Sequence, residues 1–238
     1  MNKKAYIHFQ LLDGSENMTP RSGYAILTEG ELIKAVAPEG EVDTKDCDII
    51  DLKGQYLMPG LVNLHVHIPA DGKPQKKPSD PKKTVKLATA NIFTRKYLEH
   101  VYKANVKTEL LSGVTTMRSV GGVENYDTWI RDKIRCGKVI GPRIQAGNMA
   151  VSVPGGHMAG SLAYEAATAE EAVQYVRQIS RDNPDLIKLM ITGGVTDATA
   201  KGEPGVLKMS PGRVKSACEE AHKLGYQVVA HVESSEGI

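Results

Sequence analysis

Five short runs of aliphatic and β-branched residues recur through the last three quarters of the chain: "GLVNLHVH" (60–67), "GVTTMRSV" (113–120), "PRIQAGN" (142–148), "LIKLMIT" (186–192) and "QVVAHV" (227–232). Apolar runs of this kind suit strands buried on both faces of a parallel sheet. Helical patterns alternate with them. One long helical segment ends near Leu111. A second opens at Thr168 with a capping box to Glu171, and Ala172, Val173, Val176 and Ile179 form its apolar stripe. A third opens at Ser210 with Pro211 in its first position. Val214, Ala217, Cys218 and Ala221 face inward, and Gly225 ends it. The alternation predicts an α/β fold, either a (β/α)8 barrel or an open doubly wound sheet. No G-x-G-x-x-G and no Walker lysine stands at a strand-to-helix turn, so a nucleotide-binding sheet has no support.

Residues 1–56 read differently. "KAYIHFQLLDG", "SGYAILTEG", "ELIKAVAPEG" and "CDIIDLKGQ" are short β-prone runs punctuated by Gly, Pro, Asp and Glu, as in hairpins of a small sheet. Residues 57–238 then supply five barrel strands where a closed barrel needs eight. An incomplete barrel is therefore expected, with bare strand edges, and a tendency of residues 1–238 to aggregate or to stay partly ordered. Of the 238 residues, 24% are charged and the net charge is +2, which provides no basic field for nucleic acid. The start "MNKKAYIHFQ" has no apolar export segment and no run approaches the length of a membrane span. Cys47, Cys136 and Cys218 are odd in number and far apart, so they read as reduced thiols of a cytoplasmic protein.

The chemistry gathers at strand ends. In β/α barrels the site is built where strands finish, and residues i and i+2 of a strand share a face. His65 and His67 thus point together at the mouth from the first strand, and His231 ends the fifth. Lys188 lies inside the apolar stretch "DLIKLMITGG", where an unpaired ammonium costs several kcal/mol. One reading pairs it with a carboxylate. The other has its neutral amine add carbon dioxide, giving a carbamate able to bridge two divalent cations.

In this order (H-x-H, Lys, His) and in the lead-in "DLKGQYLMPGLVNLHVH", the chain resembles the amidohydrolase superfamily. "LLSGVTTMRSVGG", "GPRIQAGN", "PGGH" and "IKLMITGGV" narrow the resemblance to the imidazolonepropionase-like and Xaa-Pro dipeptidase-like branch. The resemblance implies that 1–56 is the N-terminal part of a β-sandwich. It also implies that His65, His67, carboxylated Lys188 and His231 ligate a binuclear divalent centre, commonly zinc. The activity implied is hydrolysis of a C–N bond in a small amide or dipeptide, as by a dipeptidase or carboxypeptidase, in a protein that forms homo-oligomers. An imidazolonepropionase-type cyclic-amide hydrolase is the alternative, although such members use one metal and need no bridging lysine. A strand-6 histidine and the strand-8 aspartate that moves the proton are expected beyond Ile238, so an inactive fragment or half of a split assembly is a further alternative. Ser119 stands where the family often has Asp.

His157, in the Gly-rich "VPGGHMAG", is either a solvent-exposed turn histidine or, on the resemblance, a substrate-orienting donor. His8, His100 and His222 read as structural. "DGKPQKKPSDPKKTVK", with six lysines and three prolines, reads as a solvated loop whose position also suits a lid for anionic substrates.

Overall fold

The computed structural model describes residues 3–73, 80–198 and 200–238. The chain divides into two compact units, Met1–Gly60 and Leu61–Ile238. In the first, the strands are β1 (Lys3–Ile7), β2 (Gln10–Leu11), β3 (Tyr24–Glu29), β4 (Leu32–Pro38), β5 (Asp48–Asp51) and β6 (Tyr56–Leu57). Four of them form a sheet in the order β4-β3-β1-β5, and β2 pairs with β6. Hairpins explain only part of it. The two-residue link between β3 and β4 makes one, with Gly30 at φ +61°, but β5 returns parallel to β1. Phe9, Leu11 and Ile26 are the buried centre of this unit, flanked by Tyr6, Tyr24, Leu52 and Leu57.

The second unit runs β7 (Leu61–Val66), α1 (Pro81–Ala88), α2 (Ile92–Leu111), β8 (Val114–Ser119), α3 (Tyr126–Arg135), β9 (Arg143–Ala146), β10 (Ala150–Ser152), β11 (Ala163–Glu165), α4 (Ala169–Ser180), β12 (Leu186–Met190), α5 (Pro211–Lys223) and β13 (Gln227–His231). All strand pairs here are parallel, in two sheets ordered β7-β8-β9 and β11-β10-β12-β13. The five expected strands are present, in an α/β arrangement with parallel sheets. Two further strands of three residues each, β10 and β11, lie between the third and fourth.

The helices start and stop for local reasons. Asn91 caps α2 by accepting from the Phe93 and Thr94 backbone N–H groups, while Thr94 Oγ1 accepts from the Asn91 N–H. Along α2, Leu98, Tyr102 and Val106 repeat every four residues and are buried together with Met117, Ile130 and Ile144. Thr168 caps α4 as expected, but the Glu171 carboxylate reaches the Ala167 N–H rather than that of Thr168. Ser210 occupies the N-cap of α5 without a side-chain bond. At the other end, Gly225 (φ +87°) and Tyr226 donate to the His222 and Ala221 carbonyls, the Schellman pattern that ends a helix on glycine. Asp80 caps α1, so the end of the lysine-rich segment is a helix, not a loop; residues 74–79 lie outside the described residues.

Burial on both faces holds for β12, all five residues of which are buried between β10 and β13. It does not hold for β7. Leu61, Val62 and Leu64 are about half exposed, because β7 is an edge strand bonded only to β8 among the described residues. Asp185 ties Ala146, the last residue of β9, to the approach of β12. Its N–H donates to the Ala146 carbonyl, and its carboxylate accepts from the Ala146 N–H and from Arg131, each at 2.8 Å.

Candidate metal centre

His65 and His67 lie at the end of β7, and their Nε2 atoms face each other at 3.3 Å. Two nitrogens held about 2.0–2.1 Å from one tetrahedral ion would be about 3.3 Å apart, so the pair already has the spacing of two ligands. Neither ring is readily protonated. Burial is the first cause of a His65 pKa lowered to about 4, followed by the charges of Lys188, His67, His231 and Arg118. His67 is lowered chiefly by burial too. Its Nδ1 lies 2.8 Å from the Gly121 carbonyl, which can only accept, so Nδ1 carries the proton and Nε2 is a free lone pair. A ring N–H donated to a backbone carbonyl is the usual support of a metal-binding histidine. Gly121 makes this approach possible: at φ +145°, a Cβ there would sit 3.0 Å from His67 Cε1.

Lys188, in the middle of β12, is 2% exposed. Among the described residues no carboxylate pairs with it. Burial first, and the nearby Arg118 guanidinium second, lower its pKa to about 8. Arg118 itself donates from Nε to the Leu64 carbonyl of β7. The Lys188 charge also depresses His65, His67 and His231, so these four groups share one electrostatic neighbourhood.

His231 ends β13 beside Met190 of β12. Its Nε2 has two acceptors, the Gly193 carbonyl and Glu233 Oε1, each at 3.3 Å. The proton therefore belongs on Nε2, leaving Nδ1 as the donor atom for a ligand. Burial is the main cause that lowers its pKa. His157 stacks on this ring, with centroids 4.2 Å apart. At 9% exposure it is not the solvent-exposed turn histidine that was one reading of the sequence. Gly194 leaves room for it, since a Cβ there would fall 2.3 Å from His157 Nδ1. His157 also lines a cavity of about 410 Å³ with Gly155, Gly193, Lys82 and Lys208. His8, His100 and His222 are exposed, and His8 pairs with Asp51.

The structure thus joins His65 to His67 and His157 to His231, with Lys188 buried nearby. Among the described residues no three His, Cys, Asp or Glu side chains yet gather closely enough to hold an ion. The donors fit a divalent metal in kind: neutral imidazoles with lone pairs available and a lysine biased toward its neutral amine. Sequence reasoning missed Glu233, which acts on the nearby His231, and Gly121 and Gly194, which act through contacts distant in the chain.

Residues 56–238 match the model of the amidohydrolase family, and the chain belongs to that family. Divalent metals are generally used by its members. The chain is 31% identical to a structure assigned as a prolidase from Bifidobacterium longum (TM-score 0.76), covering 99% of this chain and 51% of that one. It is 25% identical to a Xaa-Pro dipeptidase with methionine bound in its active site (TM-score 0.78; 99% and 58% covered) and to another amidohydrolase (TM-score 0.82; 99% and 57%). A shorter match, 31% over 67 residues, is to a 5-methylthioadenosine/S-adenosylhomocysteine deaminase of Bacillus cereus, covering 28% of this chain and 15% of that enzyme. The chain spans little more than half the length of these solved relatives. No described helix is long and apolar enough to cross a membrane.

Proposed function

We propose that this chain carries most of the metal site of a hydrolase that cleaves C–N bonds in small amides or dipeptides, in the manner of an Xaa-Pro dipeptidase. Lys188 carries the reading: an ammonium 2% exposed, without a carboxylate partner among the described residues and with Arg118 as its neighbour, is an unfavourable resting state. Conversion to a carbamate resolves the conflict. The neutral Nζ attacks the carbon of CO2, a C–N bond forms, one proton leaves to water, and the product is an anion. Its two oxygens, with the His65 and His67 Nε2 lone pairs and His231 Nδ1, are a donor set suited to two divalent cations such as zinc.

Such a pair of ions supplies Lewis acidity and lowers the pKa of water. The chain's own residues do the rest of what can be assigned to them. Gly121 keeps the His67 proton on Nδ1, Gly193 and Glu233 keep the His231 proton on Nε2, and His157 borders the adjoining cavity as a substrate-orienting donor. In this reading Leu61–Ile238 is an incomplete (β/α)8 barrel of five strands preceded by part of a β-sandwich, in a cytoplasmic homo-oligomer. The prolidase and Xaa-Pro dipeptidase likenesses support the substrate class.

Lys188→Ala tests the reading. Zinc content, measured by atomic absorption after gel filtration, should fall, and acetate or propionate should restore part of it by refilling the bridge. Lys188→Arg should not be restored, because guanidinium stays cationic. Full zinc loading of Lys188→Ala would refute the bridging role.

A further inference from the structure

Asp127 is a buried carboxylate that the metal-site reading leaves unused. It stands in the first turn of α3, fully buried, and its two oxygens take two hydroxyls: Ser119 Oγ donates to Oδ2 at 2.7 Å and Tyr102 OH to Oδ1 at 3.3 Å. Tyr102 is itself fully buried, and its oxygen accepts the Val123 N–H at 3.1 Å, so its proton is directed at Asp127. No arginine, lysine or histidine pairs with this carboxylate among the described residues. Burial raises its pKa to about 6, against the Ser119 and Tyr102 bonds that lower it. A buried carboxylate held only by dipoles is an expensive way to secure a helix end.

What it secures is the turn after β8. Gly122 is pressed against the Asp127 carboxyl, where a Cβ would lie 2.1 Å from Oδ1, and Gly121 is pressed against the His67 ring. Two glycines are therefore clamped between an imidazole on one side and a carboxylate on the other. The Gly122 N–H donates to the Asn148 carbonyl and the Val123 N–H to Tyr102, so the Gly121 carbonyl has little freedom to move away from His67 Nδ1.

We propose that Asp127, through Ser119, Tyr102 and the Gly121–Gly122 turn, is a positioning residue that sets the tautomer and direction of His67. The inference rests on the ligand role given to His67 for its consequence in metal binding, but not for its effect on the ring. Ser119 then has a specific part: it supplies the hydroxyl through which a carboxylate from the next helix supports the end of this strand.

The test uses the whole 238-residue chain as wild type, Asp127→Asn, Tyr102→Phe and Ile130→Val. The last trims a buried side chain of the same helix outside the network and controls for destabilisation alone. Histidine 15N NMR of the metal-free protein reads the His67 tautomer, and competition with a chromophoric chelator reads zinc affinity. The expected result is a single Nδ1–H tautomer in wild type and Ile130→Val, a mixed one in Asp127→Asn and Tyr102→Phe, and zinc affinity lower by about 10–100-fold in those two. Should Asp127→Asn fail to fold, Tyr102→Phe decides alone. An unchanged tautomer in the folded network variants would overturn the inference while leaving the metal reading intact. A changed tautomer in a protein that binds no zinc even as wild type would support the inference and overturn the metal reading.

Discussion

Replacing Lys188 with methionine should stabilise the metal-free chain at neutral pH. Methionine keeps an unbranched side chain of similar length and removes the charge. In the folded chain burial, aided by Arg118, brings the lysine from 10.5 to about 8. Each pKa unit is worth about 1.4 kcal/mol, so keeping the ammonium buried costs about 3 kcal/mol below pH 8. The unfolded lysine holds its proton up to 10.5 and the folded one only to about 8. Between these values the unfolded chain binds more protons, and wild-type stability rises with pH. The advantage of Lys188→Met should accordingly be about 3 kcal/mol at pH 7 and shrink to about 1 kcal/mol at pH 9.5. Urea unfolding in CO2-free buffer with chelator, followed by circular dichroism, measures both. A variant no more stable than wild type at pH 7, or a gain that does not shrink by pH 9.5, would refute the argument that Lys188 rests as an uncompensated buried cation.

Two other perturbations separate the site from its scaffold. Gly194→Ala would drive a methyl into His157 and displace it from His231. Isothermal titration should show zinc binding weaker by at least about tenfold, on the scale of lost supporting contacts, while the urea midpoint moves little. Asp185→Ala removes one of the buried Arg131 guanidinium's partners, leaving Asp132 and the Asn183 carbonyl, and should cost about 2 kcal/mol in urea unfolding, without altering zinc affinity. The Asp185 pKa is lowered by its bonds to the Ala146 N–H and Arg131, which outweigh the raising effect of burial. Its contribution is therefore present above the unfolded value of 3.8 and lost as pH falls through the lower folded one, which an acid titration of wild type against Asp185→Ala would detect.

The five expected strands were legible because each is a short run rich in aliphatic or β-branched residues, and the helices because caps and stripes are local signals. β10 and β11 were not, since three residues among Ser, Pro and Gly carry no period. The exposure of β7 also lay outside the reach of composition: "LVNLHV" has the residues of a buried strand, and only its pairing on one side decides otherwise. At the site, His65, His67, Lys188 and His231 stood out because polar residues at the ends or middle of apolar strands need a reason. Glu233, Gly121, Gly194 and Asp127 had no such signal. Their parts depend on contacts spanning from two residues (Glu233 to His231) to 54 (Gly121 to His67), and Asp127 is an ordinary acidic residue in a helix first turn until Ser119 and Tyr102 are found on its two oxygens.

The central claim is that Lys188 becomes the anionic bridge of a divalent site with His65, His67 and His231. It is tested most directly by 13C NMR of the zinc-loaded chain in 13C-bicarbonate, with zinc counted on the same sample. The account predicts one carbamate carbon per chain that appears with zinc, two zinc ions bound, and loss of the signal in Lys188→Ala. No carbamate carbon in a fully zinc-loaded wild-type chain, or the same signal persisting in Lys188→Ala, would contradict it.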